Sequence, residues 1–88
     1  MRVPPERETA ATSVRGEVEN CLALARSTEI LVVSGERLAA ARRAVELVKA
    51  YDRVLEHIRL ASLSLPEQQR VRDRLSPVAL LLRKYRLR

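Results

Sequence analysis

The sequence predicts an all-α fold: an antiparallel three-helix bundle, made of a helical hairpin and a kinked third helix, and expected to oligomerise. Three observations predict it. Apolar side chains recur every three or four residues from Val14 to Tyr85, the repeat of one face of an α-helix. Only two glycines occur in 88 residues, too few for a turn-rich β fold. The core must be built without Phe or Trp, from Leu, Val, Ile and Ala, side chains that suit close packing of helices. A chain of this length makes one domain, expected over residues 13–88. Residues 1–12, with Pro4-Pro5, several charges and few large apolar groups, read as a flexible tail.

The first helix is expected over about residues 13–33. Thr12 or Ser13 offers a hydroxyl N-cap, and Val14, Val18, Cys21, Ala25, Thr28 and Val32 step along one face. The stretch Thr28–Leu38, "TEILVVSGERL", raises a rival. Ile30 to Val33 have real β propensity and run straight into Ser34-Gly35. A strand must pair its backbone with another strand, and no other segment alternates with period two, so only a second copy could pair with it. Nor is "VVSGER" a phosphate loop. It lacks the second glycine followed by Lys and Ser or Thr, and Glu36 stands where an anion would bind. Ser34-Gly35 therefore reads as the stop of one helix and the start of the next.

The second helix is expected over about 36–62. Leu38, Ala41, Val45, Val48, Tyr51 or Asp52, Leu55 and Ile58 form the expected core row. Ala44, Leu47, Val54 and Ala61 form a second row beside it. So wide an apolar arc implies two helical neighbours. Glu46 with Lys49 and Glu56 with Arg59 are spaced for favourable surface pairs. Asp52 interrupts the core row. Either the helix rolls to put Tyr51 inside, which is the preferred expectation, or Asp52 meets an arginine of another helix.

The third helix is expected over about 65–87. Ser64 and Glu67 fit a capping box, with Pro66 in the first turn where a missing N–H is harmless. Val71, Leu75, Val78, Leu82 and Tyr85 continue the apolar repeat. Ser76-Pro77 interrupts it, since proline removes one helical hydrogen bond and crowds the turn before it. A kink or a two-piece helix is expected at 76–77.

Chemistry-bearing residues are sparse. His57 is the only histidine, and its own helix offers no catalytic partner one turn away, so it reads as a surface or boundary residue. Cys21 is the only cysteine, on the core row, and reads as a buried structural thiol. No carboxylate pair, metal-ligand spacing or cofactor loop stands out. An enzyme, a metal, a cofactor and a small-molecule substrate are accordingly not expected. A lone cysteine suits an intracellular setting, cytoplasmic or nuclear. No apolar run approaches the ~20 residues of a membrane span, and the opening residues lack a signal core.

Charge carries the remaining information. Residues 1–62 hold ten basic and nine acidic groups, while residues 63–88 hold seven basic and two acidic. Arg outnumbers Lys fifteen to two, a choice that favours bidentate contacts with carboxylate or phosphate. The expected function is a non-catalytic helical interaction subunit or adaptor. It assembles with a protein partner or itself through Val48, Leu55, Val71, Leu75, Val78, Leu81, Leu82 and Tyr85. Arg70, Arg72, Arg74, Arg83, Lys84, Arg86 and Arg88 contact acidic partners. The alternative is a small basic nucleic-acid-binding protein that uses residues 70–88 for non-specific phosphate contacts. It lacks interleaved aromatics for single strands and a helix-turn-helix signature. An amphipathic membrane-surface contact by Val78 to Arg88 is a third possibility.

Overall fold

The computed structural model describes the backbone of residues 5–87 and the side chains of residues 14–87. Three helices follow one another: α1 Pro5–Val33, α2 Arg37–Leu60 and α3 Leu65–Lys84. The described residues contain no strand. Ile30 to Val33 are the last turn of α1, which removes the strand alternative.

The start of α1 differs from expectation. It begins at Pro5, eight residues ahead of Ser13, so residues 5–12 are helical where a tail was expected. Pro5 has the fixed φ that suits a first helical position, and Ala10 and Ala11 are strong helix formers. Residues 1–4 of the expected tail, and the side chains of Thr12 and Ser13 expected as its cap, lie outside the described residues. α1 ends where the sequence says it should. Gly35 takes a φ of +78°, its N–H donates to the Val32 carbonyl and the Glu36 N–H donates to the Leu31 carbonyl. This is the Schellman pair of bonds that closes a helix with a left-handed residue.

α3 starts on Ser64, whose hydroxyl oxygen accepts from the Glu67 N–H at 3.3 Å and whose O–H donates to the Glu67 carboxylate at 2.8 Å. Pro66 occupies the first turn. The interruption expected at 76–77 does not divide the helix, because α3 runs through Pro77 as one element. Pro77 has no N–H for the carbonyl four residues back, which belongs to Asp73. The Ser76 hydroxyl donates to that same carbonyl at 2.8 Å and so replaces the missing bond. α3 closes with a second Schellman pair around Arg86, at a φ of +53°. Its N–H donates to the Arg83 carbonyl, and the Leu87 N–H donates to the Leu82 carbonyl at 2.9 Å.

One apolar core joins all three helices. α1 contributes Val14, Val18, Cys21 and Ala25, α2 contributes Leu47, Ala50, Val54 and Ile58, and α3 contributes Leu75, Val78, Leu81 and Leu82. Thr28 is buried with them. Its hydroxyl donates to the Leu24 carbonyl at 2.7 Å, which removes the cost of an unpaired buried polar group.

α2 is rolled relative to its expected orientation. Its buried row is Ala40, Ala44, Leu47, Ala50, Val54 and Ile58, of which Ala44, Leu47 and Val54 were expected in the secondary row and Ile58 in the core row. Leu38 and Val45, expected in the core, are exposed. The roll places Tyr51 half-buried against the core and leaves Asp52 exposed, the preferred of the two expectations. Ala40 and Ala44 are buried on this row near the turn, and side chains that small permit close approach of helices. α1 and α2 pack along most of their length, and α3 leans on α1 more than on α2.

Candidate functional site

The apolar residues expected to bind a partner are mostly used within the chain. Leu75, Val78, Leu81 and Leu82 are buried in its own core, and Val48, Leu55, Val71 and Tyr85 pack half-buried against it. The four buried residues serve the chain's own core, and only edges of Leu81 and Leu82 border surface clefts. The exposed large apolar side chains lie elsewhere. Leu80 lies on the outer side of α3, and Leu60 and Leu65 flank the connection between α2 and α3. Ile30, Val33, Leu38 and Val45 surround the turn between α1 and α2, with 59%, 74%, 79% and 55% of their surface exposed. Small residues already fill the α1–α2 contact there, so the large aliphatics of both helices turn outward. The alanines at 40 and 44 were the available signal for this arrangement, since they mark a close-approach face better than the larger Leu38 and Val45 do.

The basic residues do not converge on one patch. The Arg74 guanidinium pairs with Glu19 of α1, and Arg15, Arg70 and Arg74 line an open groove between α1 and α3 whose floor includes Val14, Val18 and Val71. Arg83 and Arg86 line a different cleft, with Tyr51 of α2. The Lys84 ammonium sits 5.2 Å from the centre of the Tyr85 ring, a cation–π distance. Arg72 is exposed, and Arg88 lies outside the described residues. The cations are thus distributed around α3 at helical spacing.

A contact invisible in the sequence joins α1 to α2. His57 Nδ1 lies 2.6 Å from Glu17 Oε2, with side chains 40% and 23% exposed respectively. Glu17 Oε2 itself is buried. The approach is close, but that oxygen accepts no hydrogen bond among the described residues. Elsewhere on α2, Glu56 accepts from Arg59 at 2.8 Å as expected, while Glu46 pairs with Arg43 at 3.1 Å rather than forward along the helix.

Burial pushes the Cys21 thiol up to about 11, the opposite of what a nucleophilic thiolate needs. The imidazole of His57 faces the Glu17 carboxylate. Among the described residues no group of three His, Cys, Asp or Glu side chains is placed to hold a metal ion, and no helix is long and apolar enough to cross a membrane. Compared with protein-family models, curated proteins and solved structures, the chain matches none.

Proposed function

We propose that this protein is a non-catalytic helical interaction subunit whose three helices form an antiparallel bundle and which assembles through the exposed end of its α1–α2 hairpin. The short turn at Gly35 and the reach of His57, late in α2, to Glu17, early in α1, support the antiparallel reading. The observation that carries the function is the exposure of Ile30, Val33, Leu38 and Val45 on the two helices either side of the turn at Gly35. A single exposed aliphatic needs no explanation, but four large ones within sixteen residues beside a well-packed core suggest surface kept for a partner. Two helices presenting such a face complete a bundle with one or two helices of a second copy or of a partner.

Sedimentation equilibrium over a wide concentration range tests the self-assembling form. The wild-type chain is expected to associate, and Leu38→Ser combined with Val45→Ser is expected to give a monomer with unchanged helicity. A wild-type chain that stays monomeric throughout, or association that the double substitution leaves intact, overturns this assignment of the surface.

A further inference from the structure

Between α2 and α3, close to the C-terminal end of α3, lies a cleft of about 500 Å³ lined by Tyr51, Ala79, Leu82, Arg83 and Arg86. It exists because α3 leans on α1 and leaves α2 partly uncovered on this side. Its floor is apolar, built from Ala79, Leu82 and the Tyr51 ring. Its polar rim is purely cationic, since Arg83 and Arg86 are the only charged residues lining it. Neither guanidinium is paired with a carboxylate among the described residues. Arg86 reaches the rim at some conformational cost. It occupies the left-handed position of the closing turn, with a φ of +53°, where glycine is the relaxed choice.

We propose that this cleft binds an acidic protein segment. One apolar side chain of the segment rests on Ala79 and Leu82 against the Tyr51 ring, and flanking carboxylates are held by Arg83 and Arg86. Charge complementarity selects the occupant: guanidinium groups grip carboxylates in paired, planar hydrogen bonds. The apolar floor asks for a side chain that a bare phosphate or a nucleic-acid backbone does not supply. The remaining cations of α3 are dispersed around the helix, so no continuous track for a phosphate backbone leads from this cleft. The inference rests on the reading of the protein as an interaction subunit, but on residues remote in sequence from the turn at Gly35.

The test uses a fluorescein-labelled helical peptide with leucine at every fourth position and Asp or Glu between, and a control with Asn and Gln in place of the acids. Binding is read by anisotropy and mapped by amide chemical shifts of the full chain. The expected result is binding of the acidic peptide only, with shifts at Tyr51, Ala79 and Leu82. Affinity should fall at least about tenfold in Arg83→Glu, in Arg86→Gly and at high salt. Arg86→Gly keeps the closing turn, so its loss of binding is not a loss of fold. No binding, equal binding of the uncharged control, unchanged affinity in both variants, or shifts confined to another face each overturn the proposal. So does preferential binding of duplex DNA or anionic vesicles at these same amides. Failure of the hairpin-end reading shows only in the sedimentation of Leu38→Ser with Val45→Ser, which leaves these shifts unmoved.

Discussion

The contact between His57 and Glu17 allows a quantitative prediction. Truncating His57 to Ala removes the side chain that stands beside a buried carboxylate oxygen. That oxygen accepts no hydrogen bond among the described residues of the intact chain, so the truncation forfeits only the attraction of a partly exposed pair. The expected loss is about 1 kcal/mol. Glu17→Ala removes the acceptor as well, and should cost no more than about 1 kcal/mol, in the range of partly exposed ion pairs. In the double variant neither side chain remains, so the contact is lost once and not twice. The three variants should therefore show a coupling of about 1 kcal/mol, equivalent to roughly 4–8 °C in Tm for a chain of this size. Urea and thermal unfolding followed by circular dichroism measure it. Additivity of the two single substitutions to within about 0.3 kcal/mol would refute the contact as a bond between α1 and α2.

Three further outcomes follow from other parts of the fold. Arg86→Gly relieves the left-handed residue at the end of α3 and should raise stability by about 0.5–1 kcal/mol; a fall in Tm would contradict the closing turn. Leu81→Arg, which places a charge in the core, should abolish cooperative unfolding, whereas Leu80→Arg on the neighbouring exposed position should change stability by no more than about 0.5 kcal/mol; equal effects would show that α3 is rolled differently. Cys21, held protonated by burial, has its value raised from 9.0 to about 11. The folded chain therefore keeps a thiol proton that the unfolded chain releases, so this contribution is complete below pH 9 and is lost as the pH rises towards 11. Comparing the alkaline stability profile with that of Cys21→Ala isolates it, and identical profiles would show that the thiol is not buried.

The helices were legible because their signals are local. The 3–4 spacing from Val14 to Thr28, glycine at 35 in the left-handed turn and the Ser64 cap with Pro66 each act within a few residues, and the structure has them where the sequence puts them. The early start of α1 was missed because Pro4-Pro5 was weighed as a disordering signal, although a proline at a first helical position favours the helix. The candidate site was much less legible. α2 carries two adjacent apolar rows, and nothing in its own sequence says which one faces α1. The apolar row of α3 looked available to a partner because its length and spacing do not reveal that α1 already occupies it. The neighbour of His57 lies forty residues earlier in the chain, beyond the range of any helical spacing rule.

By itself, then, the sequence determined three amphipathic helices, their turns, the buried thiol and the excess of cations in the last helix, because backbone hydrogen bonding and apolar periodicity are settled one or two turns at a time. Only the tertiary structure decided the roll of α2, the enclosure of Leu75, Val78, Leu81 and Leu82, the outward face at Ile30, Val33, Leu38 and Val45, and the separation of the arginines into two grooves. The physical reason is that a helix's stripe fixes which side chains avoid water. Which neighbour covers them depends on where small residues such as Ala40 and Ala44 let another helix come close.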